Sequence, residues 1–172
     1  MTVKIITLLI TTIITGLMAG LFYSWSVSVT RGLALLPDKE YISAFQSLNR
    51  AILNPLFFIC FLGTVILLPA STWLMFQRPI HYRFWLLLTA TLLYLTGVIG
   101  ITMAGNVPMN NALDVFNTAS ATAAEITAKR ISFESRWNFL NNIRTITSIV
   151  CFALTVITCI SLQADKGTGI EN

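Results

Sequence analysis

The chain has 172 residues, 55% of them hydrophobic and only 10% charged, with a mean hydropathy of +0.76. A soluble domain carries about 25% charged residues, so this composition and its long apolar runs specify one integral membrane domain and exclude an ordinary soluble enzyme. The formal charge of +4 comes from basic residues scattered between the apolar runs, which gives no nucleic-acid patch and no nucleic acid among the expected partners.

The first span is expected over 3–27. Its apolar run is too long for a signal-peptide core, so it reads as uncleaved. Gly16 and Gly20 are spaced to let another helix approach. Phe22, Tyr23 and Trp25 mark the exit through the interface. Residues 31–49 leave the membrane. Pro37 suits a helix start, and Asp38 and Glu40 suit its positive end. Tyr41, Phe45 and Leu48 repeat at i, i+4 and i+7, which predicts a short amphipathic helix over 37–49, on the membrane surface or over the bundle.

The second span is expected over 51–76. Gln46, Arg50 and Asn54 share one face if the helix runs through from Phe45, in which case Pro55 kinks it; otherwise Pro55 begins a helix. Pro69 is a second kink candidate. The connection 77–83 is tight, basic and holds the single histidine, His81. The third span is expected over 84–105, with Gly97, Gly100 and Ala104 as a packing face. It ends in NVPMNNAL, where Pro108 predicts a break or kink. A second excursion covers 112–135. Within it 118–130 reads as a short helix, with Glu125 and Lys129 paired at i, i+4. The fourth span is expected over 136–162, and 163–172 is a polar tail expected to be disordered. No repeat is detectable. The expected fold is all-α: an integral membrane antiparallel four-helix bundle over 1–162, with an amphipathic helix in the first long loop.

Cys60, Cys151 and Cys159 lie inside spans and show no CxxC spacing. With one histidine, the chain offers no metal-ligand set, so neither metal nor cofactor is expected. Four spans place both termini on one side. That side carries Lys4, Arg78, Arg83 and Lys166, against Arg31, Lys39, Arg50, Lys129, Arg130, Arg136 and Arg144 on the other. The raw count opposes cytoplasmic termini. Arg50, Arg136 and Arg144 sit at helix starts, however, and without them the count is four to four. Arg78 and Arg83, in the shortest connection, then tip the expectation to cytoplasmic termini in a bacterial inner membrane.

An alternating bundle brings one set of polar and aromatic residues to one membrane face: Tyr23, Trp25, Arg50, Asn54, Asn106, Asn110, Asn111, Trp137, Asn141 and Arg144. Within RWNFLNNIRTITS, Trp137, Asn141, Arg144 and Ser148 fall at i, i+4, i+7 and i+11 and so share one helix face. Arg144 lies roughly 12 Å along the helix from Arg136. A charge at membrane depth costs roughly 2.5–3.5 kcal/mol. Arg144 therefore either snorkels to the interface or is a buried cation holding a ligand's anionic or carbonyl oxygen. Asn54, Asn106 and Asn110 are its expected partners.

The segments GLFYSWSVSVTRGLALLPD, FQSLNRAILNP, GNVPMNNAL and RWNFLNNIRT together resemble the anthrone oxygenase-like membrane family, over roughly 16–148. The resemblance implies a four-span membrane protein. Fungal members oxidise anthrones, tricyclic phenols, to quinones with dioxygen, with no established metal or flavin, while most of the family has no assigned reaction. By motif match, Asn54, Asn106, Asn110, Asn111, Trp137, Asn141 and Arg144 form the shared polar set.

Two functions compete. One is an oxidoreductase on a lipophilic phenolic, anthrone or quinol-type ring arriving from the bilayer. Arg144, Asn106 and Asn110 would stabilise its phenolate or enolate, and Trp137, Trp25 and Tyr23 would stack the ring. Asp114 and Glu134 are the nearest carboxylates for a base. The other is a non-enzymatic lipid or small-molecule binding protein, or an accessory membrane subunit, which needs the pocket but no base. A transporter ranks third, because four spans without a repeat do not suit a monomeric one. The sequence sets no oligomeric state.

Overall fold

The computed structural model describes residues 3–167. Among them the chain is helical with no strand. In order, the helices are α1 (Val3–Ala34), α2 (Asp38–Ile52), α3 (Pro55–Leu74), α4 (Tyr82–Asp114) and α5 (Ala123–Gly167). All but α2 are long and apolar enough to cross a membrane. Backbone groups inside a bilayer must bond internally, which a helix achieves by itself. α1 packs on α3 and α5, and α4 packs on the same two. Neighbours in sequence are thus neighbours in space, and the spans form an antiparallel four-helix square. Hydroxyl pairs bind the spans at close range, Thr11 to Ser71 at 2.8 Å and Thr72 to Thr91 at 2.9 Å.

Several boundaries differ from the expected ones, each for a local reason. α1 continues past 27 to Ala34 through a widened, π-helical turn at Trp25–Val29. The helix carrying Gln46 and Arg50 stops at Ile52, so the second span begins at Pro55 rather than 51. Asn54 caps it, its Oδ1 accepting from the Phe57 amide at 3.1 Å, and Pro55 takes the first turn, where no donor is needed. Pro69 lies within α3 without ending it.

Pro108 does not end α4 either. A proline ring clashes with the carbonyl four residues back in a regular helix. Here widened turns at Tyr94–Gly100 and Thr102–Asn106 precede it, and the wider ladder lets the helix continue to Asp114.

The short helix at 118–130 and the span at 136–162 are one helix from Ala123 onward. Its start is a capping box. Glu125 accepts from the Thr122 amide at 2.7 Å, and the Thr122 hydroxyl oxygen accepts from the Glu125 amide at 3.3 Å. Glu125 therefore serves the helix start rather than Lys129. The same helix takes in 163–167, the first half of the expected disordered tail; 168–172 lie outside the described residues.

α2 lies over the end of the bundle. Tyr41, Ile42 and Phe45 are buried against Leu33, Leu113, Ile126, Phe133 and Trp137. Leu48, the third member of the expected stripe, is exposed. Among the glycines, Gly16, Gly97 and Gly105 are the close approaches, all to α5: a Cβ there would fall 2.9 Å from Phe152, 2.6 Å from Thr147 and 2.6 Å from Leu140 respectively, whereas Gly20 meets nothing. Gly100 faces outward and meets no other helix.

Candidate functional site

A cleft of about 170 Å3 opens at the α2 end of the bundle, between the first turns of α3 and the 102–107 part of α4. Phe57, Phe58 and Phe61 form one wall, and Thr102, Met103, Asn106 and Val107 the other. Phe22 and Trp25 of α1 and Trp137, Asn141 and Arg144 of α5 form the back. The end of α2, with Asn49 and Ile52, roofs it.

The helical spacing in α5 holds as expected: Trp137, Asn141, Arg144 and Ser148 are all buried on one face. Arg144 does not snorkel. It is only 7% exposed and points into the bundle. Its guanidinium donates to Asn141 Oδ1 at 2.9 Å and, at 3.4 Å, to Thr102 Oγ1. It lies over the Phe22 ring at 4.7 Å and the Trp137 ring at 5.5 Å, so aromatic faces supply part of the counter-field. No carboxylate pairs with it: the ion pairs among the described side chains are Arg50–Asp114, Arg130–Asp38 and Arg130–Glu134. Its Nε is buried without a partner.

The expected partners of Arg144 are otherwise engaged or left open. Asn54 caps α3. Asn110 Oδ1 accepts from Trp137 Nε1 at 2.9 Å, which fixes the indole at the back of the cleft. Asn106 ends the widened turn of α4, is 0% exposed, and leaves both Oδ1 and Nδ2 without a partner. Asn141, one turn back on the same helix, takes its place beside Arg144 and in turn donates to Ser26 Oγ at 2.9 Å. A buried unpartnered polar group costs about 1–3 kcal/mol. Arg144 and Asn106 both line this apolar cleft, and Arg144 Nε with Asn106 Nδ2 and Oδ1 are buried beside it without a partner, which makes this the place where an oxygen-bearing group would be held.

Trp25 reaches the cleft, 5.1 Å from Trp137 and 5.5 Å from Phe45 between ring centroids. Four expected site residues do not line it. Tyr23 is 52% exposed on the outer side of α1, one residue out of phase with Phe22. Asn111 is exposed, out of phase with Asn110 in the same way. Arg50 pairs with Asp114 at 2.7 Å on the outside, and Asn54 is spent as the cap. Asp114 and Glu134 are held by Arg50 and Arg130, and neither lines the cleft. Among the described residues, no three His, Cys, Asp or Glu side chains gather as a metal site.

The sequence reading missed Phe22, Ser26 and Thr102. Their spacing carried the signal. Phe22 and Ser26 are one turn apart, as are Thr102 and Asn106, so each pair shares a face.

Against known families, the model for anthrone oxygenase matches residues 56–154, more than half of the chain. The chain belongs to the anthrone oxygenase family. The family match takes in Asn106, Asn110, Asn111, Trp137, Asn141 and Arg144, and begins just after the cap residue Asn54. No curated protein and no solved structure matches the chain.

Proposed function

We propose that this anthrone oxygenase family member oxidises a lipophilic phenolic, anthrone or quinol-type ring with dioxygen. The observation that carries the reading is the buried Arg144 guanidinium, without a carboxylate, facing the same apolar cleft as the unpartnered Asn106. Such donors hold an oxyanion in a low dielectric, where they stabilise it far more than water does. An enolate or phenolate held there is electron-rich at ring carbon and reacts with dioxygen.

For an anthrone, the methylene carbon loses two hydrogens and gains one oxygen atom. The second oxygen atom leaves as water, and dioxygen accepts the four electrons. Trp137 and Trp25 would stack the ring. Among the described residues no carboxylate, imidazole or thiol lines the cleft, so the substrate gives its proton to water at the membrane surface and reaches Arg144 as the anion, and the rate follows the substrate's own ionisation.

That same lack of a base favours a second reading, a non-enzymatic lipid or small-molecule binding protein or accessory subunit. Proteoliposomes supplied with anthrone separate the two. The oxygenase reading expects one dioxygen consumed and one anthraquinone formed per anthrone, faster than the spontaneous reaction by at least about a hundredfold, with both rates rising as the pH rises. Saturable binding with no acceleration would reject it in favour of the binding protein.

We also propose a bacterial inner membrane setting with both termini cytoplasmic, membrane lipid around the apolar faces and a lipophilic aromatic molecule in the cleft. Ile5, Leu8 and Leu9 of α1 line a groove with Cys159 and Leu162 of α5, so the described chain ends share one bundle end. Arg78 and Arg83 lie in or beside the α3–α4 connection at that end. An impermeant thiol reagent on intact cells should label Ser43→Cys and spare Gln77→Cys. The opposite pattern reverses the orientation.

A further inference from the structure

We infer that the cleft encloses only the oxygen-bearing head of its ligand, and that the ligand carries an apolar tail lying in the bilayer, passing out between α3 and α4 through a portal formed by Leu53, Phe58 and Met103. This inference rests on the reading of the Arg144 cleft as a site for a phenolic ring.

Size is the first ground. Sites that enclose drug-sized ligands measure about 300–1,000 Å3, and this cleft measures about 170 Å3. The closed part takes a head, not a whole extended molecule.

The second ground is where the cleft opens. Toward water it is plugged. Trp25, Phe45 and Trp137 pack ring against ring, Phe45 to Trp137 at 4.9 Å, under the buried face of α2. Toward lipid it is open. Leu53, Phe58 and Met103 line the cleft and are 59%, 41% and 60% exposed. All three are apolar, and Phe58 and Met103 lie on the two spans that bound the mouth.

The third ground is the packing of those spans. α3 packs closely against the 82–93 part of α4, at the far end of the bundle. It makes no comparable packing with 102–106, where Pro55 starts α3 afresh and the widened turn distorts α4.

Polarity then orders the ligand. Arg144 and Asn106, the groups with open hydrogen-bonding capacity, lie inside; the apolar trio lies at the rim. A molecule matching this gradient has one hydroxylated ring and an alkyl or isoprenoid-like tail attached opposite the hydroxyl.

The test uses the full chain in lipid nanodiscs with phenol, 4-pentylphenol and 4-dodecylphenol, with affinities expressed against mole fraction in the membrane. The tail stays in lipid before and after binding, so pentylphenol and dodecylphenol should bind equally within about twofold, whereas a tail forced into a closed cavity would overpack it. Met103→Trp should slow dodecylphenol association by at least about tenfold, and Phe58→Ala, which widens the mouth, should speed it. The inference is overturned if dodecylphenol binds at least about tenfold more weakly than pentylphenol, or if association is the same in all three proteins. Short phenols that bind while dodecylphenol does not would remove the portal and leave the site reading standing. Failure of every phenol to bind would remove both.

Discussion

Arg144→Met should leave the bundle at least as stable as the parent while ligand retention is lost. The side chain is an unpaired cation buried at membrane depth, and its Nε has no partner. Replacing buried charges by apolar side chains of similar volume is often neutral or stabilising, by about 1–4 kcal/mol. Here the change strands Asn141 Oδ1 and the Thr102 hydroxyl, which offsets part of that gain; Asn141 keeps its bond to Ser26. Thermal unfolding in detergent, with phenol binding in parallel, gives both quantities. Loss of stability by about 3 kcal/mol or more, the cost of breaking a needed buried pair, would instead make Arg144 a structural brace.

Arg144→Lys sharpens the same test. Lysine keeps the charge but not the planar fork that spans Asn141 and Thr102. A charge-assisted hydrogen bond contributes about 1.5–3 kcal/mol, so binding should weaken about ten- to a hundredfold with the fold intact. Equal binding by the lysine protein would show that only the charge matters.

The second large effect is expected at Arg130. Its guanidinium donates to the Leu36 carbonyl at 2.7 Å, the Ala34 carbonyl at 2.9 Å, Asp38 Oδ1 at 3.0 Å and Glu134 Oε2 at 2.8 Å, and lies 4.5 Å from the Tyr41 ring centroid. One side chain therefore ties the α1–α2 turn and the start of α2 to α5. Arg130→Ala should destabilise by about 2–4 kcal/mol, and hydrogen exchange should show α2 amides losing protection before those of the spans. Arg50→Ala breaks a pair whose side chains are 62% and 36% exposed, so it should cost less than about 1 kcal/mol. Similar losses in the two variants would refute the latch.

The latch also has a pH sense. A hydrogen bond from Thr127, and then Arg130, hold the Asp38 carboxyl below the usual carboxylate range. A depressed carboxyl contributes stability above its unfolded-state value, near 3.9, and loses it as pH falls through the folded one. The docking of α2 should thus weaken on acidification and not on raising the pH above neutrality.

The sequence by itself determined the class of protein and the axis of its site. Depletion of charge and four long apolar runs leave helices as the structure that satisfies the backbone in lipid. The spacing of Trp137, Asn141, Arg144 and Ser148 fixes them on one face, and alternation of spans brings Asn106 and Asn110 to the same end. These inferences use only helical period and chain parity, which are local.

What the tertiary structure decided is which polar residues remain open. Asn54, Asn106 and Asn110 are chemically alike. Yet Asn54 is consumed as a cap once the chain breaks at Leu53, Asn110 is consumed by the Trp137 indole, and Asn106 is left with nothing. Likewise Arg50 and Arg144 are both cations at the same membrane end, but Asp114 comes within reach of one and, among the described residues, no carboxylate pairs with the other. Whether a hydrogen-bonding group is spent or free depends on neighbours distant in sequence and on small phase shifts, such as the widened turn before Pro108, that no repeat in the sequence announces. Composition therefore determines that there is a polar end, and packing alone determines which of its groups are free to hold a ligand.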